Sequence, residues 1–397
     1  MQDIKNDMTR FILVPCLVFF LLSTTSCLGN KDDDLVTGAA QIQKYLPLLK
    51  DKAVGMVVNH TSLVGPVHLV DTLIAHGVNI AAVFSPEHGF RGDAPDGEKV
   101  QNSVDPKTGT PLISLYGNNR KPTLEQMAGI DIMIFDLQDV GTRFYTYIGT
   151  MHYVMEACSE SGIKLIILDR PNPNGDYVDG PILDLDFQSF VGMHKIPIVH
   201  GLTVGELARM INGEGWLDRQ RKCYLEVIKV ENYDHKTLYD PPVKPSPNLP
   251  DYQSVRWYPS LCLFEGTVMS IGRGTLNPFQ KIGYPDSKFG AFQFTPHSIE
   301  GMSIHPKHKD RLCYGIDLST AEPPKSVDLS LLLECYLKSG LEEEFFIGSF
   351  NRLAGSDRLK EQILNGMTMD EIRDTWQDEL GKYREARKEY LLYPDLY

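Results

Sequence analysis

Five short apolar runs, at residues 53–58, 80–84, 112–115, 130–135 and 164–168, recur through the first half of the chain without regular polar alternation. Strands of that kind are covered on both faces, which is the situation of a parallel sheet wrapped by helices. Longer amphipathic stretches separate the runs, as crossover helices require. The expected class is α/β: a Rossmann-like, mostly parallel sheet domain, followed by a second, smaller α+β C-terminal domain. At 397 residues the chain exceeds one ordinary core, so two domains with a cleft between them are expected, at 37–240 and 241–397. The boundary falls in 240–251, where Pro241, Pro242, Pro245, Pro247 and Pro250 exclude regular structure and suit a junction or a loop over the cleft. Beyond it, strands are expected at 261–271, 290–295 and 312–318, and helices at 330–339 and 369–392, the last a charge-laced surface helix.

Each early run ends in a polar cluster: Asn59-His60-Thr61, Glu87-His88, Tyr116-Gly117, Asp136-Leu137-Gln138-Asp139 and Asp169-Arg170-Pro171-Asn172. Ligands of open parallel sheets bind outside the carboxyl ends of the strands, so these clusters gather at one functional rim.

The first residues are a targeting signal and lie outside the fold. Lys5 and Arg10 precede an apolar stretch at 11–22, too short to span a bilayer permanently. Small residues then lead to Cys27, which resembles a lipoprotein processing and lipidation site; an ordinary signal peptide with an incidental Cys is the alternative. The expected layout is a lipoprotein signal at 1–26 and a tether at 27–36. The expected location is that of an exported lipoprotein, periplasmic or at the cell surface, held to the outer membrane by lipid. Asn30-Lys31-Asp32-Asp33-Asp34 resembles the surface-export tag of Bacteroidetes lipoproteins, and equally suits a solvated tether. The net charge of -13 argues against nucleic acid as a partner, because phosphate backbones are bound through Lys and Arg. Cys158, Cys223, Cys262, Cys313 and Cys335 are widely spaced and expected to be buried thiols, with neither a disulfide framework nor a metal knuckle.

Ser85-Pro86-Glu87-His88-Gly89-Phe90 comes directly after its strand, and Pro86 holds Ser85 extended so that Glu87 is presented at the strand end. A carboxyl partly sheltered by Pro86 and Phe90 suits a general acid that protonates a leaving oxygen. The same residues also suit the start of a helix. Asp136 to Tyr147 collects carboxylates, an amide, a guanidinium and phenols, a composition that suits a carbohydrate. Within it, Gln138 and Tyr145 are candidate sugar contacts and Arg143 a candidate fork onto a carboxylate such as the lactyl group of muramic acid; an internal Asp–Arg pair with buried tyrosines is the alternative. Asp169, Arg170 and Asn172 form another rim loop. His194 and His200 suit either ligand contacts or satisfied structural histidines. Glu265 and Arg273, from the second domain, are expected to close the cleft.

The phosphate loop, the dinucleotide fingerprint, the nucleophile elbow and the zinc-protease helix motif are all missing. No cofactor and no metal are expected. Gly-Met-Val-Val-Asn-His-Thr-Ser at Gly55, Phe-Ser-Pro-Glu-His-Gly-Phe-Arg-Gly at Phe84, Phe-Asp-Leu-Gln-Asp-Val-Gly-Thr-Arg-Phe-Tyr-Thr-Tyr at Phe135, Leu-Asp-Arg-Pro-Asn-Pro at Leu168 and Cys-Leu-Phe-Glu-Gly-Thr at Cys262 together resemble the exo-β-N-acetylmuramidase family. The resemblance covers nearly the whole chain after the signal. It implies an exo-acting glycosidase that removes N-acetylmuramic acid from the non-reducing ends of peptidoglycan fragments, with its catalytic glutamate at Glu87. Muramic-acid-terminated saccharides are then the substrates, and Asn59, His60, His88, Arg91 and Asp136 join the candidate contacts. Asp136, Asp139 and Asp169 are candidates for a second carboxyl, with Asp139 preferred as the assisting group. Two other classes stay open: a metal-dependent amidase or deacetylase using His60, Glu87, His88 and Asp139, and a non-catalytic surface glycan-binding lipoprotein.

Overall fold

The computed structural model describes residues 34–87, 89–90, 103–117 and 119–396. The signal, Cys27 and most of the tether lie outside these residues, as do His88 and Arg91. In chain order the strands are β1 (Ala53–Val58), a small hairpin of β2 (Leu63–Val64) and β3 (Val67–His68), β4 (Asn79–Ser85), β5 (Ser103–Val104), β6 (Pro111–Ser114), β7 (Ile132–Asp136), β8 (Lys164–Leu168) and β9 (Leu225–Ile228). The main sheet has seven of them, ordered β5-β6-β4-β1-β7-β8-β9. Every neighbouring pair is parallel except β5 with β6. The mostly parallel sheet expected from the apolar runs is therefore present. Its two edges carried no such signal: β5 is two residues long, and Glu226 interrupts the apolar character of β9.

Why those runs lack alternation is visible in the packing. Ile132 and Ile134 of β7 enter one core, with Val54, Met56, Leu69 and Leu73, while Met133 and Phe135 enter the other, with Phe84, Met151 and Met155. Both faces are buried, and each such side chain contributes about 1.5–3 kcal/mol. The helix Tyr147–Ser161 covers the second face and stops at Gly162, whose φ of 68° supplies the left-handed cap that ends many helices.

The strand order runs outward from β1 in both directions, so the loops after β1 and β7 leave toward opposite sides and open a crevice at the carboxyl ends. The second half of the chain adds an antiparallel sheet of β10 (Lys281–Tyr284), β11 (Phe292–Phe294) and β12 (Cys313–Asp317), ordered β10-β12-β11. The two expected strands at 290–295 and 312–318 contain β11 and β12. From Leu35 onward the chain forms one compact unit, and one core joins Met151 to Phe264, Phe345 and Leu380. All five described cysteines are free and buried.

Two expectations are corrected. The expected strand at 261–271 is instead the end of the helix Tyr252–Leu261 and the 3-10 turn Cys262–Gly266. Leu261, Cys262, Leu263 and Phe264 are all buried, and an apolar run buried on every side has no period to separate strand from helix. The deciding signal was upstream, where Asp251 accepts from Ser254 N at 2.9 Å and caps the helix. The single surface helix expected at 369–392 is divided into Met369–Asp374, Gln377–Arg387 and the 3-10 turn Lys388–Tyr390. Arg373 and Trp376 both bond the buried carboxylate of Asp179, at 2.7 and 3.2 Å, which turns the chain between the first two pieces. Leu380, Tyr383 and Arg387 are buried, so the second piece packs inward.

Candidate active site at the strand ends

Glu87 stands two residues beyond β4, and both sides of it are anchored. Ser85 O accepts from Leu115 N at 2.8 Å, and the buried Phe90 ring packs edge-on against His68, 4.8 Å between centroids. Between these anchors Gly89 N donates to Pro86 O at 3.2 Å, a tight turn in which Gly89 takes a φ of 75°. The segment is thus a turn, and the helix start that its residues also suited is not formed at Glu87. The side chain is half-buried, and Glu87 Oε2 accepts from Thr146 Oγ1 at 3.1 Å. Thr146 is the cap residue of the helix Tyr147–Ser161. The carboxylate therefore sits beside a helix N-terminus, where the helix dipole favours negative charge.

Glu87 lines a cavity of about 380 Å³. The opposite wall comes from the second half of the chain and carries Glu265 and Arg273. Arg273 Nε donates to Glu265 Oε1 at 2.5 Å. Arg273 is presented by a loop in which Gly272 and Gly274 both have positive φ, 81° and 80°. A Cβ on Gly274 would lie 2.5 Å from His297 O, so the loop admits no side chain there. Aromatic rings complete the enclosure: Tyr145 stands edge-on to Tyr147 at 4.8 Å and Tyr258 edge-on to Phe279 at 4.9 Å. The Pro-rich segment forms a loop over the cavity, since Ser246 and Asn248 line it and Pro245 O accepts from Tyr145 OH at 2.8 Å. Glu87 and Glu265 also share a second, adjoining space of about 490 Å³. Two carboxyls from opposite halves of the chain thus line one aromatic-walled cleft, and most glycosidases act through a pair of carboxyls flanking the scissile bond.

Comparison with known proteins agrees. The models of the exo-β-N-acetylmuramidase family match residues 54–253 with the N-terminal part and 256–393 with the C-terminal part. The chain belongs to the exo-β-N-acetylmuramidase family. A curated relative, the peptidoglycan β-N-acetylmuramidase of Bacillus subtilis strain 168, is 40% identical over 374 residues, covering 88% of this chain and 89% of the relative. Two crystal structures of DUF1343 family proteins from Bacteroides fragilis share the fold. One has a TM-score of 0.86 at 45% identity, covering 91% of this chain and 99% of the other; the second has 0.78 at 28%, covering 90% and 99%.

Against this family background, many of the expected rim residues turn inward. Asp136 takes a two-point ion pair from Arg170, at 2.6 and 2.9 Å, with both side chains buried. Asp169 accepts from Thr203 Oγ1, Tyr393 OH and Gly205 N at 2.6–2.8 Å, and burial raises its pKa to about 6. Asn59 closes a local turn on Thr61 and reaches Tyr147 OH at 2.8 Å. Asn172 accepts from Asn174 N and donates to Leu202 O. Gln138 donates to Asp139 O and Pro171 O, and with Arg170 it borders a separate cavity of about 400 Å³. His60 donates to Lys244 O at 2.8 Å and so pins the Pro-rich loop.

Two of these corrections bear on chemistry. Arg143, the expected fork for a substrate carboxylate, is buried and donates instead to Pro181 O, Ile196 O, Leu353 O and Ala354 O at 2.6–3.1 Å. With no carboxylate beside it, burial lowers its pKa to about 9. Asp139, the expected assisting carboxyl, lines neither space around Glu87. It is buried; its Oδ2 accepts from Gly141 N at 2.6 Å, its Oδ1 has no partner, and burial raises its pKa to about 7. His200 lies nearby, its Nε2 3.9 Å from Asp139 Oδ2, and burial lowers its pKa to about 3. His194 is stacked on Trp216 and bonded to His152 at 3.0 Å, and burial depresses it too. Neither histidine lines the two spaces beside Glu87.

Of the expected contacts, Glu87, Tyr145, Glu265 and Arg273 therefore meet in one cleft. Sequence reasoning missed Thr146, Tyr258 and Phe279. Thr146 was within reach, since it lies in the same motif as Tyr145; Tyr258 and Phe279 carry no local signal that separates them from core aromatics.

Proposed function

We propose that this protein is an exo-acting glycoside hydrolase that releases N-acetylmuramic acid from the non-reducing ends of peptidoglycan fragments. The observation that carries the reading is the pair of carboxyls, Glu87 and Glu265, lining one cleft of about 380 Å³ with aromatic walls, in a chain 40% identical to a peptidoglycan β-N-acetylmuramidase. Glu87 is the acid/base: it protonates the glycosidic oxygen as the bond to the anomeric carbon breaks, then takes a proton from the water that completes hydrolysis. Glu265, held by Arg273, is the second carboxyl in place of Asp139. It offers an acceptor for the positive charge that builds on the sugar ring, or for the N–H of the 2-acetamido group. Tyr145 and Tyr258 supply ring edges for the C–H surface of the sugar, with the buried Tyr147 and Phe279 packed behind them. The Cys27 segment supports an exported lipoprotein acting on wall fragments outside the cytoplasm.

The test compares wild type with Glu87→Gln on a 4-nitrophenyl N-acetylmuramide. A fall in kcat of at least about a hundredfold with an unchanged melting temperature is expected, the scale of general acid catalysis. Near-normal turnover by the variant would overturn the assignment.

A further inference from the structure

Arg143 cannot bind a substrate carboxylate, because its guanidinium is committed to main-chain carbonyls. N-acetylmuramic acid differs from N-acetylglucosamine by a lactyl acid, so a cleft that selects it needs a cation elsewhere. The space of about 490 Å³ that adjoins the first cavity and shares Glu87 and Glu265 with it contains two: Arg120 and Arg352. They come from opposite halves of the chain. Arg120 lies in the loop beyond β6, and Arg352 lies on the short helix Phe350–Ala354. Both are exposed, and neither makes a hydrogen bond or ion pair among the described residues.

Arg120 is nevertheless held in place. Its guanidinium carbon stands 4.3 Å from the centroid of the Phe190 ring, and Phe190 stacks in turn on Tyr153, 6.2 Å away. A guanidinium laid on a ring keeps its N–H edges for an in-plane partner, and a carboxylate is the partner that fits two of them at once. Ser189 lines the same space, and its buried hydroxyl has no partner. The other cation of the cleft, Arg273, already bonds Glu265. Among the described residues lining the two spaces, Arg120 and Arg352 are thus the positive groups left to meet an acid.

We propose that Arg120 and Arg352, with Ser189 of the same lining, form a carboxylate-binding subsite that selects acid-bearing sugars for cleavage at Glu87. The inference rests on the glycosidase reading and adds to it the basis of substrate choice. The carboxylate is the free lactyl acid of N-acetylmuramic acid, or the acid of a stem peptide attached there.

Three 4-nitrophenyl glycosides separate these sources: the N-acetylmuramide, its lactyl L-alanyl-D-isoglutamine derivative, and the N-acetylglucosaminide. For Arg120→Ala and Arg352→Ala, the kcat/KM ratio of the acid-bearing substrate over the glucosaminide is expected to fall about 10- to 100-fold, the scale of losing a charge-assisted bond. A fall with the free acid locates the lactyl group there, and a fall confined to the dipeptide locates the stem. A parallel loss on all three substrates, or no loss on any, would overturn the subsite. Calorimetric binding of free N-acetylmuramic acid against N-acetylglucosamine tests it without turnover. If the wild type cleaves none of the glycosides, the glycosidase reading fails, while a preference for the acid that both variants abolish still upholds the subsite. Equal affinity of the wild type for N-acetylglucosamine, N-acetylmuramic acid and its L-alanyl-D-isoglutamine derivative overturns it.

Discussion

Replacing Asp139 by Asn separates a structural carboxyl from a catalytic one, because the two roles predict opposite results. Asp139 is buried, its Oδ1 is unpartnered, and burial raises its pKa to about 7 from an ordinary value of 3.8. An acid of that kind binds its proton more tightly in the folded chain than in the unfolded one. Between about pH 4 and pH 7 the folded state holds the extra proton, so stability falls as pH rises, by about 1.4 kcal/mol per pH unit, and levels off above the folded pKa. Asn keeps an oxygen for Gly141 N and has no proton to lose. Relative to wild type, Asp139→Asn is therefore expected to gain about 2–3 kcal/mol on going from pH 5 to pH 8. The difference between the two proteins is the quantity to measure. His200, whose pKa burial lowers to about 3, and His194, also lowered, make the wild-type stability rise with pH up to the unfolded histidine value. That opposing contribution cancels in the comparison. Denaturant unfolding of both proteins at pH 5, 6, 7 and 8 gives the profile. A difference that stays flat with pH refutes the titration argument. Because Asp139 lies outside both spaces that Glu87 lines, kcat of the variant is expected to stay within about tenfold of wild type; a loss of roughly a hundredfold or more would restore Asp139 as the assisting group.

Glu265→Gln keeps the shape of the second wall and removes its charge, so kcat is expected to fall by at least about tenfold while the melting temperature holds; unchanged kcat would remove Glu265 from the mechanism. Arg143→Met strips the hydrogen bonds from four carbonyls that join residues 181 and 196 to 353 and 354. A loss of about 3 kcal/mol in urea unfolding is expected, and an unchanged midpoint would show that those carbonyls find other partners.

The strands were legible because burial on both faces writes itself as an unbroken apolar run, and the place of Glu87 at the rim was legible because it stands where such a run ends; its role as the acid came from the family resemblance. Partners could not be read the same way. Asp136 and Arg170 are 34 positions apart, and Asp169 and Tyr393 are 224 apart, so no local pattern reveals that each pair closes on itself. A charged residue at a strand end satisfies the same sequence rule whether it faces a ligand or a neighbouring loop. What separates the two is an accounting of hydrogen bonds. Asp136, Asp169 and the two terminal amino groups of Arg143 spend theirs on the protein. Glu87 accepts a bond from Thr146 and still faces an open cavity. Glu265 shows the converse case: its segment was expected to be a strand and is a 3-10 turn, yet the residue still reaches the cleft, because Gly266 packs directly against the Phe350 backbone and fixes the turn. Arg120 and Arg352 had no signal at all, since exposed arginines are common. Only the convergence of two halves of the chain on one carboxylate-lined space makes them a pair, and that convergence is a property of the packing between the sheet and the C-terminal helices.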